Sequence, residues 1–543
     1  MTTVIANVHR SALPAPPVEP SVAVAALRHA AADPSALAIA DGATGETLTR
    51  GELAARSAAV AGGLRARGVG RGDLVAVAMP NLAWWPVVAL GVWRAGAAIA
   101  PLSPLWTAEE CARVLAHAIP RAAIAFAPFA SQVTGALEQL SADAEVIVVG
   151  GDVEGATAIE ALLASSAAAD PYAEPDLDPR DLAAVPFSSG TGGLPKGIRL
   201  THGNLAAAGA QGNACLAAAA AVDAEAVILA AVPFFHSIGL GLMLCGSLLG
   251  GAAIVTVPLP QIERILALVA QHRVTHVAVS PPIFEALAND PRVDEHDLSS
   301  LRIVITGGAH LGPDAEERVG ERLGCLARQG YGMTEATCTI SAPLERPSTP
   351  GTIGWLAPGT EARLVDPATG ADVDDGEPGE LWVRGPQVME GYHGLPDETA
   401  ATMTPDGWLR TGDLVAIRDD RQLEIRDRLK ELIKVKGASV APAEVELVLR
   451  QHPAVRDACV VGVPDPERGE APIAFVVLDR AAAPSELLSF VTERLAGYKR
   501  PREVIVVDEL PRLPTGKLLR RELRDRALEA ARATAPARRA ARR

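Results

Sequence analysis

Short apolar runs separated by helical patterns recur along most of this chain, and that alternation limits its fold more than any single motif. Leu74-Val-Ala-Val-Ala78, Ala97–Pro101, Ala226–Val232, Ala252–Val257, His276–Ser280 and Leu301–Thr306 are each five to seven residues long. They are strand-length runs, most of them followed by longer helix-forming stretches. Strands that alternate with helices pair in parallel and are buried on both faces, which predicts layered α/β sheets. At 543 residues the chain exceeds one ordinary core, so at least two domains are expected. After Gly351 the character changes, with short strands Glu361–Val365 and Glu380–Val383 among Gly, Pro and Asp turns. These predict a smaller β-rich subdomain. Beyond Arg426 come a helix over Pro442–Gln451, strands over Val455–Val463 and Ala471–Leu478, a helix over Pro484–Leu495 and a strand over Glu503–Val507. They form a compact α+β unit of about one hundred residues, a usual size for a small domain. The reading is therefore a large N-terminal domain over 20–426, a small C-terminal domain over 427–525, and flexible termini at 1–19 and 526–543.

Composition narrows the function classes. The net charge of −15 argues against nonspecific binding to nucleic acid or to an anionic membrane. The six cysteines have no metal-ligand spacing and no disulfide framework, which predicts a reducing, cytoplasmic setting. Met1–Pro20 lacks the apolar core of a signal peptide. The apolar stretches Leu82–Leu102 and Leu240–Val257 are broken by Pro86 and Arg94, and by glycines, so they read as buried core and not as stable membrane insertions.

One loop carries chemistry. Ser188, Ser189, Gly190, Thr191, Gly192 and Gly193 are followed by Lys196 and Gly197. Such a loop offers backbone N–H groups and hydroxyls to an anion, with a lysine in reach of a phosphate oxygen. It follows the apolar run Leu182–Phe187, which places it at a sheet edge. It is neither a Walker A motif nor a dinucleotide fingerprint. Alone it would read as a flexible surface turn, but four further segments accompany it. Gln329-Gly-Tyr-Gly-Met-Thr-Glu335 sets a hydroxyl and a carboxylate after two glycines, suited to phosphate and Mg²⁺. Trp408–Asp413 ends in a carboxylate on a Gly turn, suited to ribose hydroxyls. Asp427–Gly437 carries three lysines and an arginine, and Pro511–Arg520 fixes Lys517 after a Pro/Gly turn.

These five collinear segments resemble the adenylate-forming superfamily of acyl- and aryl-CoA synthetases, and within it the 4-coumarate:CoA ligase group. The similarity runs from about Val22 to Leu523. It implies ATP, Mg²⁺ and coenzyme A as the small molecules bound, together with a carboxylic acid. The loop from Ser188 to Lys196 would cradle the β- and γ-phosphates. Gly307, Gly308 and Ala309 would lie along adenine, joined by Gln329, Gly330 and Tyr331. Thr334 would contact the α-phosphate, Glu335 the magnesium, and Asp413 with Arg428 the ribose. Lys517 would steady the carboxylate while the adenylate forms. Lys430 would be the hinge of a mobile C-terminal domain, whose rotation replaces Lys517 by Lys436 and Gly437 at the pantetheine tunnel. Phe235, His236, Ile238, Gly239, Gly307, Gly332 and Met333 would line the acid pocket, with His236 as an aromatic gate.

Departures sharpen the expectation. Gly192 stands where a second hydroxyl is usual, His310 where proline is common, and Leu259 where a lysine can face CoA. Ile238 replaces a frequent tyrosine, so the pocket floor is apolar. Gly239, Gly241, Gly307 and Gly308 suggest a roomy pocket. The expected activity is ATP-dependent conversion of an aryl, arylacrylic or bulky hydrophobic acid to acyl-AMP, then to the acyl-CoA thioester. An adenylation enzyme that loads a carrier-protein phosphopantetheine is the alternative, and a degenerate nucleotide-binding member is a third. A homodimer stays open. Cys245 and Cys338 read as core thiols.

Overall fold

The computed structural model describes residues 8–166, 170–188, 195–220, 226–308, 311, 314–342, 348–349, 351–374, 376–429, 431–435, 438–465, 468–495, 497–512 and 518–529. By internal contacts the chain forms two compact units. The larger takes Val8–Ala362 with Trp382–Arg410, and the smaller takes Arg363–Leu381 and the chain from Thr411 on.

Two large sheets organise the larger unit. In the first, Leu182–Ala184, Ala98–Leu102, Leu74–Ala78, Ala122–Phe126, Glu145–Val149 and Thr157–Ala158 lie side by side in parallel. Ile198–Thr201 and the two-residue strand Gly391–Tyr392 extend it antiparallel at one edge. The second has the order Leu326–Gln329, Ile303–Thr306, His276–Val279, Val227–Ala230, Ala253–Thr256, Leu37–Asp41 and Thr47–Thr49. It is parallel except for its last pair. The expected strands are thus present, most with ends displaced by a residue or two. Every residue of Leu74–Ala78 and Ala98–Leu102 is buried, which explains why these runs show no polar alternation.

Helices cover the sheets through apolar stripes. Cys111, Val114 and Leu115 from one helix and Val133, Ala136 and Leu137 from another pack on the first sheet. Ile265, Leu266 and Val269 with Phe284 and Val319 do so on the second. Thr49 and Thr107 close capping boxes with Glu52 and Glu110, fixing where two of the helices start. The stretch Leu82–Leu102 resolves into the helix Trp84–Ala95, a left-handed turn at Gly96 and a strand. Arg94 is buried there and donates to the Ala54 carbonyl (2.8 Å) and the Ser57 hydroxyl (3.0 Å). Burial pulls its pKa down to about 10. Among the described residues no helix is long and apolar enough to cross a membrane. At the start of the described chain, His9 and Arg10 pair antiparallel with Ala362 and Glu361.

The smaller unit carries its own sheet. Val455–Asp465 pairs antiparallel with Gly469–Leu478, which pairs in parallel with Glu503–Val506. Ile433–Val435 and Ala438–Val440 extend it. On one face sit Val445, Leu449, Leu487 and Val491 from the helices Pro442–Arg450 and Pro484–Thr492. On the other sit Leu523 and Ala527 of the helix over 520–529. An α+β unit with two covered faces matches the sequence expectation.

Candidate active site

The phosphate-type loop closes a hairpin. Leu200 pairs with Ala184 and Gly197 bridges Phe187, while the Ser188 N–H donates to the Lys196 carbonyl at 3.0 Å. Both feet of the loop are therefore fixed. A Cβ on Gly197 would lie 2.8 Å from Val185 Cγ1, so a larger residue there would have to push Val185 aside. Ser189, Gly190, Thr191, Gly192 and Gly193 lie outside the described residues. Lys196 Nζ forms an ion pair with Glu398 and sits 4.9 Å above the Tyr392 ring. Tyr392 in turn donates its hydroxyl to Glu335 Oε1 at 3.0 Å. Burial and the nearby Glu335 carboxylate push the Tyr392 phenol well above its ordinary value, so it remains a donor.

Glu335 is positioned by a tight hairpin. Tyr331 pairs with Ser341, and a Cβ on Gly332 would fall 1.2 Å from the Cys338 carbonyl oxygen. Thr334–Ala336 form one 3₁₀ turn. Thr337 (φ 50°) and Cys338 (φ 108°) follow in the left-handed region without being glycine. Such conformations cost on the order of 1–3 kcal/mol each and cluster at functional sites. The Thr337 hydroxyl bonds the Gln387 carbonyl (2.6 Å), and the Glu335 carbonyl accepts from Met389 N–H (2.9 Å). The carboxylate is buried apart from its link to Tyr392. Among the described residues no group of three or more His, Cys, Asp or Glu side chains could hold a metal by itself. A Mg²⁺ that bridges phosphates needs only one or two carboxylates, so Glu335 fits it.

Neighbouring parallel strands bring Thr306 beside Gln329, so Gly307, Gly308, Gly330 and Tyr331 emerge at one carboxyl edge, where α/β sheets bind ligands. Gly308 (φ 86°) is exposed, with no atom within 4 Å of its Cβ position. Its backbone is open to a flat ligand. The Gln329 side chain bonds the Thr352 carbonyl at 3.0 Å and its N–H bonds Glu316, so it braces this edge. Ala309 and His310 lie outside the described residues.

The Phe234–Leu240 segment reaches the same place. Ile238 Cδ1 lies 3.8 Å from a Cβ built on Gly307. Phe234 is buried against Trp85, with ring centroids 5.7 Å apart. The Phe235 and His236 rings lie 4.6 Å apart, tilted at 43°. Burial lowers the His236 pKa to about 4, so its ring is neutral at physiological pH. Ile238–Gly246 winds as a π-helix, a form common at functional sites. The glycines here do not make room. A Cβ on Gly239 would fall 2.0 Å from the Pro233 carbonyl oxygen, and one on Gly241 would fall 2.4 Å from that of Thr337. They permit close backbone packing, which corrects the expectation of a roomy pocket at these two positions. Burial raises the Cys338 thiol to about 11 and that of Cys245 further, consistent with inert core thiols.

Three residues that hold this site were not singled out from the sequence. Asn81 donates to the Ala230 and Val232 carbonyls (2.8 and 2.9 Å) and accepts from Phe234 N–H (2.8 Å), fixing the turn before His236. Tyr392 and Glu398 are the others. An Asn just after the strand Leu74–Ala78 is a weak local signal of such bracing; the partners of Tyr392 and Glu398 leave none.

In the smaller unit, Asp413 and Arg428 are brought together across an antiparallel pair. Arg428 Nε lies 2.9 Å from Asp413 Oδ1, and Asp413 is buried. Next to them, burial raises the Asp427 pKa to about 7, against bonds from the Arg428 and Ala443 N–H groups. Lys430, Lys436, Gly437 and Lys517 lie outside the described residues. The feet of the Lys517 loop are visible: Arg512 bridges Leu518 and pairs with Asp457 at 2.6 Å. Arg520 pairs with Glu446 and with Glu431 (2.8 Å), and donates to the Val460 carbonyl (2.9 Å). Burial opposes ionisation of Glu446, but Arg520 outweighs it and holds the carboxyl below its usual range.

The fold agrees with that of known proteins. Residues 27–393 match the family model described as AMP-binding enzyme, and 444–517 match that described as AMP-binding enzyme C-terminal domain. The chain is 38% identical over 502 residues to 4-coumarate--CoA ligase 5 of Oryza sativa subsp. japonica, covering 89% of this chain and 90% of that protein. Among solved structures it is similar to ATP-bound MatB from Rhodopseudomonas palustris (TM-score 0.84, 29% identity, 93% of this chain and 98% of that one). It is also similar to a benzoate CoA ligase from Burkholderia xenovorans (TM-score 0.82, 30% identity, 93% of this chain and 99% of that one).

Proposed function

This chain belongs to the AMP-binding enzyme family, and on that premise we propose that it is an acid–thiol ligase acting in two steps. A carboxylate oxygen attacks the α-phosphorus of ATP, forming acyl-AMP and releasing pyrophosphate. The sulfur of coenzyme A then attacks the acyl carbonyl, forming the thioester and releasing AMP, with the thiol proton passing to solvent. The observation that carries this reading is the chain of contacts from Lys196 through Tyr392 to Glu335, which sets a phosphate-seeking cation and a magnesium-seeking carboxylate at one edge.

Within the larger unit, the backbone of the loop and Lys196 would bind the terminal phosphates, and Thr334 the α-phosphate. Glu335 would hold Mg²⁺, which supplies charge neutralisation as pyrophosphate departs. Gly308, Ala309, Gly330 and Tyr331 would lie along adenine, and the exposed Gly308 offers it an open backbone. Asp413 and Arg428 would take the ribose. Neutral His236, tilted against Phe235, is suited to gating because a cation there would trap the carboxylate. Ile238, Gly307 and Met333 favour an aryl, arylacrylic or bulky hydrophobic acid. We assign 20–426 to acid and ATP binding and 427–525 to a lid that pivots at Lys430, carrying Lys517 for adenylation and Lys436 with Gly437 for thioester formation. All six cysteines are free, which suits a reducing compartment such as the cytoplasm.

Acid-dependent ATP–pyrophosphate exchange without CoA tests the first step, and mass detection of the CoA thioester tests the second. Lys517→Ala is expected to lower exchange by about a hundredfold or more while leaving thioester formation from synthetic acyl-adenylate largely intact. Equal loss in both steps would refute the pivot, and no exchange across a wide panel of acids would refute the enzyme.

A further inference from the structure

The strand Gly391–Tyr392 and the helix Pro396–Thr402 lie at the phosphate hairpin and face it with two side chains of opposite purpose. Ile198 pairs with Tyr392, so the tyrosine is carried on the rung next to Gly197. Its backbone is pinned, because its N–H donates to Thr399 Oγ1 at 2.8 Å and the His393 N–H donates to the Gly197 carbonyl at 2.7 Å. Besides a hydroxyl contact with Thr402, the tyrosine serves two partners at the loop. Its face lies 4.9 Å from Lys196 Nζ, and its hydroxyl lies 3.0 Å from Glu335. From the next helix Glu398 reaches the same ammonium.

The geometry points to Tyr392 and Glu398 as a paired control on nucleotide binding: Glu398 competes with the triphosphate for Lys196, while Tyr392 aims Glu335 at the magnesium. The inference rests on the adenylation reading and adds to it two positioning residues of opposite effect. A triphosphate that takes the lysine displaces Glu398, which is half exposed and returns to water at little cost. The ring face stays under the ammonium in either arrangement, so Tyr392 keeps the lysine near while its counter-ion changes. Its hydroxyl occupies one lone pair of Glu335 and restricts the carboxylate to one orientation, the service that outer hydrogen bonds give metal ligands.

Equilibrium titration of the full chain with fluorescent MgATP, repeated across a series of Mg²⁺ concentrations, tests both halves without relying on turnover. Glu398→Gln is expected to tighten nucleotide binding about two- to fivefold, the range of a half-exposed ion pair. Glu390→Gln removes a charge of the same sign that pairs with Arg199 at 3.0 Å, and it should not reproduce that gain. Tyr392→Phe keeps the ring and should raise the Mg²⁺ needed for half-maximal binding about threefold or more, with metal-free binding unchanged. Unchanged or weaker binding in Glu398→Gln, equal tightening in Glu390→Gln, or an unshifted Mg²⁺ requirement in Tyr392→Phe would overturn the pairing. If the wild type bound no MgATP, the adenylation reading itself would fall, a separate failure.

Discussion

Arg520 in the smaller unit and Lys196 in the larger are each tied to acidic side chains, and burial makes them opposite devices. Arg520 lies between Glu431 and Glu446, and the Glu446 side chain is only 4% exposed. Its planar fork also bonds the Val460 carbonyl, and Val460 N–H returns a bond to Glu446 at 2.7 Å. Every partner is committed, so the arrangement is a fixed joint. Lys196 meets Glu398, whose side chain is 50% exposed, and touches Glu335 only through Tyr392. That cation can change partners. An arginine fork suits the first task, and a flexible ammonium suits the second.

The largest expected effect breaks the fixed side. Arg520→Ala leaves Glu446 buried without its counter-charge and should destabilise the smaller unit by about 3–5 kcal/mol in urea unfolding. A loss below about 1 kcal/mol would erase the contrast. A medium effect comes from Asp427, beside the same joint. Its folded pKa of about 7 lies above the ordinary value of 3.8, so the folded state binds more protons. The stability it contributes is present at low pH and declines as pH rises from about 4 through 7. Thermal melts of the wild type should lose about 1–3 kcal/mol between pH 5 and 8, and Asp427→Asn should flatten that slope. The smallest effect on stability belongs to the exchangeable side. Lys196→Gln should change unfolding free energy by less than about 1 kcal/mol, yet weaken ATP binding about tenfold in calorimetry.

The fold was legible because its signals are local. A run such as Leu74–Ala78 is apolar at every position, since helices cover both faces of the sheet, and its ends coincide with the observed strand. Pairs such as Asp413 and Arg428 were legible through motif resemblance, and the strand pairing places them together. The rest depends on distant partners. Glu398 meets Lys196 across 202 residues, and Asn81 meets the Phe234 N–H across 153, so neither carries a mark in its own neighbourhood. Gly239 and Gly241 misled for the same reason. A glycine that leaves space and a glycine that admits a neighbouring carbonyl look identical until the neighbour is known.

The π-helix at Ile238–Gly246 gives the proposed acid pocket a length buffer. Its hydrogen bonds span one residue more than those of an α-helix. Deleting a single residue between Ile238 and Leu244 would let the ladder close at the shorter spacing, and because five α-helical steps turn the chain through nearly the same angle as six π-helical ones, Ile238 would keep its direction. The neighbouring strands would keep their register, because the length change is absorbed within the helix. A lineage could therefore gain or lose one residue here without turning the pocket wall, a tolerance that a plain α-helix lacks.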